Sequence, residues 1–304
     1  MKVLALENNF LAIDEEFSNY ENSQIVILQA PYEHTVSYGG GTKFGPEAII
    51  KASHFVEFYD DEFDRELCFE KGICTLDEIN YNDNVDLEAL SLLQNEVSSH
   101  LNNNKFVVTL GGEHTISSAT IKSHFEKFPD MSVLQFDAHS DLREEYQDSI
   151  YSHACIMARV KDFFPANRIF QIGIRALCKE EAILIKQKNV NTRFASSIKR
   201  NVYGENWVKD LVSKMSSNVY VTFDVDYFDP AIMPSTGTPE PDGFLYNDAL
   251  EVFREIKRQG KNIIGFDVVE LAPVENISHP DILTARLIYK MLNSAFYLVL
   301  LNFV

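Results

Sequence analysis

The chain has 304 residues, 45% of them hydrophobic, and carries 45 Asp and Glu against 27 Lys and Arg, a formal net charge of −18. That balance argues against nucleic acid or an anionic membrane surface as partner, both of which need clustered cations, and suits a self-repelling soluble surface or a small cationic ligand. The apolar content is ample for a buried core, and no linker, repeat or low-complexity tract breaks the pattern, so a single domain over 1–304 is expected.

In chain order, the segment from Met1 to Glu7 meets an acid too soon, and without a cleavage pattern, to be a signal peptide. Ile25–Leu28 is the first short apolar run that reads as a buried strand. Gly39-Gly40-Gly41 is not followed by Gly-Lys-Ser/Thr, so it is not a phosphate cradle. Asn80–Val85 reads as a polar surface loop, followed by a helical pattern over Leu87–Leu101 and a strand over Phe106–Leu110. Helix Ser118–Phe128, strand Ser132–Phe136, strand Arg168–Ile172, helix Glu180–Lys188 and strand Val219–Phe223 come next, with Trp207 an ordinary helix-face residue. Helix Tyr246–Arg258 and strand Asn262–Phe266 precede a last helix over Asp281–Ala295, which Pro280 starts. Ala295 to Val304 is apolar but far shorter than the roughly 20 residues a membrane helix needs, so it reads as a packed terminal strand or an oligomer contact.

Alternating strands and helices predict an α/β fold: three layers, α/β/α, around a central mostly parallel sheet. Cys68, Cys74, Cys155 and Cys178 form no CxxC pair and no disulfide ladder, so a reducing, cytoplasmic setting is expected.

Histidines and acids gather where the strands end. Phe106–Leu110 runs into Gly111-Gly112-Glu113-His114, Ser132–Phe136 into Asp137-Ala138-His139-Ser140-Asp141, and Val219–Phe223 into Asp224-Val225-Asp226. Ligands of an open parallel sheet bind outside the C-terminal strand ends, so these clusters are expected to pool there. Residues two apart in extended chain share a face, which lets Asp137, His139 and Asp141 point one way, and Asp224 with Asp226 likewise. Two imidazoles and four carboxylates exceed the needs of one ion and suit two divalent ions a few ångström apart. An oxygen-rich set with one histidine per ion points to Mn²⁺, with Fe²⁺ or Co²⁺ as alternatives, rather than zinc. A dinuclear phosphoesterase shares this metal logic, but the motifs supply none of the basic residues a phosphate wants.

These motifs resemble the ureohydrolase (arginase/agmatinase) family, and its agmatinases most. The likeness extends to Thr236-Gly237-Thr238-Pro239, to Gly265-Phe266-Asp267-Val268-Val269-Glu270-Leu271-Ala272-Pro273 and to a loop from Gly41 to Ile49, covering about Ala30 to Lys290. The resemblance implies an arginase-like fold holding two Mn²⁺ per chain, with His114 and Asp141 on one ion, His139 and Asp226 on the other, and Asp137 and Asp224 bridging. It implies hydrolysis of a guanidinium by hydroxide formed between the ions, with Asp141 carrying the proton and Glu270 anchoring the guanidinium. His153 would contact substrate or shuttle protons, a role suited to a group titrating near neutrality. Gly39–Gly41 becomes an active-site loop. Ala154 and Asp242 stand where many members have Gly.

The expected reaction is therefore agmatine to putrescine and urea, as in polyamine biosynthesis. Guanidinobutyrate, guanidinopropionate and arginine are the alternatives within the family, and a metal-binding scaffold without catalysis is the alternative outside it. Glu144 and Glu145 would attract a cationic tail, whereas Arg143, if it faces the pocket, would prefer a carboxylate. Family members commonly form trimers or hexamers, so a homo-oligomer is expected. His34, His54, His100, His124 and His279 are read as structural or solvent-facing.

Overall fold

Eight parallel strands form one sheet in the order β2-β1-β3-β8-β7-β4-β5-β6 in a computed structural model, which describes residues 1–297. They are β1 (Ile25–Ala30), β2 (Ile73–Glu78), β3 (Phe106–Gly111), β4 (Ser132–Phe136), β5 (Ile169–Ile174), β6 (Asn191–Phe194), β7 (Asn218–Asp224) and β8 (Asn262–Val269). The six strands expected from apolar runs are all present. The two that were not expected, β2 and β6, lie at the two edges.

Period-two alternation distributes the side chains between two helical layers. Ile25 and Ile27 of β1, with Val219, Val221 and Phe223 of β7, face the core shared with helices Gly45–Ser53, Tyr246–Arg258 and His279–Ala295. Val26, Leu28 and Ala30 face the other way, against Leu90, Leu93 and Val97 of helix Asp86–Asn102. Val133 and Tyr220 share that second side with Ile121 of helix Ser117–Lys127 and Met157 and Val160 of helix Ile156–Phe163. Central strands are thus buried on both faces, which is why they read as unbroken apolar runs.

The polar segment 79–85 joins β2 to helix Asp86–Asn102 as a loop. Trp207 begins helix Trp207–Ser213 and packs against the core. Pro280 sits in the first turn of helix His279–Ala295. Of the terminal stretch expected to be a packed strand or oligomer contact, Ala295 ends this helix, and residues 298–304 lie outside the described residues. Among the described residues no helix is long and apolar enough to cross a membrane, and the four cysteines are unpaired.

The sheet order places β3, β8, β7 and β4 side by side at its centre, so the chain leaves β3 on one side of β8 and β7 and resumes in β4 on the other. That reversal is the switch point where an open parallel sheet forms its crevice. Phe136 is in register with Phe223, and Asp224 with Val269, so Asp137 and Asp224 emerge abreast and Glu270 follows one residue farther along. Beneath them Phe136 stacks on Phe223 at 4.9 Å, and Tyr227 meets both edge-on. This close-packed aromatic floor fixes the bases of the acids above it.

Candidate active site

A cavity of about 250 Å³ opens over these strand ends, lined by His114, His139, Asp141, His153, Asp224 and Glu270 among others. Asp137 and Asp226 lie buried just below. His114, Asp137 and Asp224 bring one donor atom each within 4.8 Å of one another, as do Asp137, His139 and Asp226. His114 Nδ1 lies 3.1 Å from Asp137 Oδ2, 3.1 Å from Asp141 Oδ2 and 3.4 Å from Asp224 Oδ2. His139 Nδ1 lies 2.8 Å from Asp226 Oδ2 and 3.7 Å from Asp137 Oδ1. All six expected ligands therefore converge, and Asp137 belongs to both groups, as a bridging ligand must.

The local backbone differs from the expected alternation. Beyond β4 the chain turns, and Asp141 reaches the cavity from a left-handed conformation, φ +53°. Asp226 lies in one turn of 3₁₀ helix, Val225–Tyr227, which Asp224 caps: the Asp226 amide donates to Asp224 Oδ1 at 2.8 Å. Glu270, just past β8, is also left-handed at φ +66°, and its Oε1 accepts the His114 amide at 2.6 Å. Non-glycine residues seldom adopt this region, and such strain collects at functional sites.

Hydrogen bonds from neighbouring side chains orient the donors. His114 Nε2 contacts Thr222 Oγ1 at 2.9 Å, and that hydroxyl donates to the buried Asp267 at 2.7 Å. Ser117, Thr120 and Tyr220 also donate to Asp267. Across the sheet, Thr192 donates to Gln171, Gln171 to Gln135, and Gln135 to Asp137 Oδ2, at 2.7 Å in each case.

Burial and crowding set the proton affinities. Burial opposes the charged form of His114, but hydrogen bonds to Asp137, Asp141 and Asp224 outweigh it and hold its pKa well above the ordinary value. Burial also opposes charge on His139, and its attraction to Asp226 with hydrogen bonds to Asp137 and Asp226 again wins, raising the pKa. Burial, then repulsion from Asp137, pushes Asp141 up to about 7, and Asp224 is raised by burial and by Asp226. Glu270 rises to about 8, chiefly through burial. Like charges about 4 Å apart repel by roughly 4 kcal/mol at an effective dielectric of 20, so this many acids around two imidazoles suit multivalent cations. The donor set, oxygen-rich with Nδ1 of each histidine aimed inward, fits two divalent ions.

His153 lines the same cavity. Its Nδ1 lies 3.2 Å from Thr35 Oγ1 and its Nε2 3.3 Å from Ser37 Oγ, and Thr35 in turn donates to Glu113 at 3.0 Å. Burial pushes its pKa down to about 4, below the near-neutral value expected. The glycine loop is tied in by Glu33, which accepts the Gly41 amide at 2.6 Å, and by the Gly39 amide, which donates to Gly237 O at 3.2 Å. A Cβ on Gly39 would lie 2.9 Å from Gly237 O, so this crossing requires glycine.

At the mouth the acids expected to attract a cationic tail are misplaced. Glu144 pairs with Arg159 and Lys161, and neither it nor Glu145 lines the cavity. Arg143 does line it, but its Nε lies 3.8 Å from Glu181 and its guanidinium stacks 5.0 Å from the Tyr146 ring. Glu181, Glu240, Tyr146, Ser37 and Thr238 also line it and were not anticipated. The two departures from the family pattern are accommodated: Ala154 has no left-handed backbone, and Asp242, at φ +64°, is of a type that tolerates the region glycine favours. His124 is buried against Tyr220, whereas the His34 side chain is exposed and only its backbone amide donates to Glu113.

Comparison with known proteins places this geometry. The chain is 35% identical to the N(1)-aminopropylagmatine ureohydrolase of Synechocystis sp., over 91% of each chain. It is 33% identical to the agmatinase of Bacillus cereus, over 84% of this chain and 86% of that one. The crystal structure of the agmatine ureohydrolase of Thermoplasma volcanium superposes with a TM-score of 0.82 at 27% identity, covering 96% of this chain and 95% of the other. Residues 23–295 match the profile of the Arginase family, and the chain belongs to that family.

Proposed function

We propose that the protein is a dinuclear manganese ureohydrolase that releases urea from a guanidino amine, with agmatine, giving putrescine, as the first candidate substrate. The observation that carries this reading is the placement of Glu270 in the same cavity as both metal-ligating groups, its carboxylate fixed by the His114 amide. A guanidinium needs an anionic partner that sets its carbon over the nucleophile, and Glu270, whose proton the incoming guanidinium and two nearby dications would displace, would supply a charge-assisted, bidentate contact.

His114, Asp137, Asp141 and Asp224 would hold one ion, and Asp137, Asp224, His139 and Asp226 the other. When bound, such ions supply Lewis acidity that lowers the pKa of water to near neutrality. The protein's own groups do the rest. Glu270 orients the substrate. Asp141, on the cavity wall, takes the proton released as water oxygen bonds to the guanidinium carbon. The bond from that carbon to the alkyl-bearing nitrogen then breaks, the proton goes to this nitrogen, and the amine leaves with urea as co-product. His153, whose Nδ1–H donates to Thr35 because the Thr35 hydroxyl donates to Glu113, would turn its Nε2 lone pair from Ser37 to an N–H of the guanidino or leaving nitrogen.

N(1)-aminopropylagmatine is a second substrate reading, favoured by the name of the Synechocystis relative. Chelation should abolish urea release and added Mn²⁺ should restore it. In the reloaded protein Glu270→Gln should keep two ions per chain yet lose at least ~30-fold in kcat/KM, the cost of deleting one partner of a buried charge pair. Retained turnover in the fully chelated protein, or near-normal activity in Glu270→Gln, would contradict the reading.

A further inference from the structure

Away from Glu270 and the candidate metal ligands, the cavity carries further charge. Three charged side chains line it there: Arg143, Glu181 and Glu240. Two of them are already engaged. Glu181 is buried and accepts Ser140 Oγ at 2.6 Å, the Leu142 amide at 2.9 Å and the Cys178 amide at 2.6 Å. Arg143 Nε lies 3.8 Å from Glu181 Oε2 and its guanidinium lies over the Tyr146 ring, so two neighbours orient it along the wall.

Glu240 differs. Its carboxylate has no hydrogen bond or ion pair among the described residues, although the side chain lines the cavity. Its backbone is nevertheless fixed with respect to the reaction centre. Arg175 Nη2 donates to Glu240 O at 3.0 Å and to Asp226 O at 2.7 Å, and its Nε donates to Pro241 O at 3.1 Å. One guanidinium therefore spans the loop carrying Glu240 and the turn carrying a metal ligand. A carboxylate on a loop fixed at the cavity wall, with no cation beside it among the described residues, is placed to receive one from the substrate.

Resting on the ureohydrolase reading, we infer that Glu240 selects the substrate tail. Its carboxylate receives the distal ammonium of a guanidino amine and repels the carboxylate of a guanidino acid. Arg143, despite its charge and position, is part of the wall.

The test compares agmatine, guanidinobutyrate and n-butylguanidine, which share the guanidinium and differ in the tail: cationic, anionic and uncharged. Glu240→Gln should raise KM for agmatine about tenfold, the effect of one charge-assisted hydrogen bond discounted for partial exposure, with kcat within about threefold. n-Butylguanidine should be little affected, which also certifies the fold. Glu240→Lys should move the preference between the two charged substrates toward guanidinobutyrate. Equal losses on agmatine and n-butylguanidine, or an unchanged agmatine KM, would overturn the assignment of Glu240. A wild-type enzyme that cleaves guanidinobutyrate but not agmatine would instead overturn the amine-substrate reading itself.

Discussion

Thr222 illustrates how little of the site's control is visible in the ligand letters alone. It lies two residues before Asp224 and binds nothing in the cavity, yet its hydroxyl accepts from His114 Nε2 and donates to Asp267. A hydroxyl has one proton, so with that proton on Asp267 the imidazole must carry a proton on Nε2, which leaves Nδ1 as the nitrogen that gives up its proton when an ion binds. Thr222→Val keeps the shape and removes the relay. It should weaken metal binding about 10- to 100-fold, measured by chelator competition on the metal-free protein, and unchanged affinity would show that the tautomer is fixed some other way. The six candidate ligand positions, Glu270 and His153 could be proposed from the sequence because they stand in motifs that resemble a family, and the structure brings all eight to one cavity. Glu181 and Glu240 were not. Glu181 reads as an unremarked acid in the first turn of a helix that has Cys178, and no Ser, Thr, Asp or Asn, at its cap. Glu240 sits in a loop whose course no periodicity predicts. The left-handed backbone at Asp141 and Glu270 was equally hidden, since glycine is the usual signal for it.

At the scale of elements, the turn after β3 holds the site together. Gly112 donates to Ala30 O and accepts from the Glu270 amide, and the following Glu113 amide donates to Tyr32 O. It thus joins the ends of β1, β3 and β8. A Cβ there would lie 2.0 Å from Tyr32 O, a backbone atom that cannot swing aside. Gly112→Ala should therefore destabilise the fold by about 1–3 kcal/mol, the usual cost of overpacking, and displace both His114 and Glu270. Denaturant unfolding with parallel metal titration checks this; a variant of unchanged stability and metal affinity would contradict it. The same scale explains what the sequence concealed of the fold. Strands buried on both faces announce themselves as apolar runs. The edge strands do not: β2 ends in the exposed Asp77 and Glu78, and β6 is Asn-Thr-Arg-Phe, with a single large apolar residue. Their strand character comes from the neighbour they pair with, which single-sequence patterning does not contain.

For the molecule as a whole, one topological fact organises the chemistry. Reversal of strand order brings the ends of β3, β4, β7 and β8 together, and each delivers a motif that is unremarkable alone. The net charge of −18 acquires a location in the same way. Asp137, Asp141, Asp224, Asp226 and Glu270 are gathered under one cavity, with Glu240 on its wall. Two bound dications would offset the inner group and leave an acidic entrance, which favours a cationic substrate over an anionic one. The most direct test of this account is kcat/KM on agmatine, N(1)-aminopropylagmatine, arginine and guanidinobutyrate, measured as urea release by protein stripped with chelator and reloaded with Mn²⁺. The account predicts activity only in the reloaded protein, with at least one of the two amines exceeding both guanidino acids by tenfold or more. Comparable or higher turnover of guanidinobutyrate or arginine, or urea release that is indifferent to metal, would contradict it.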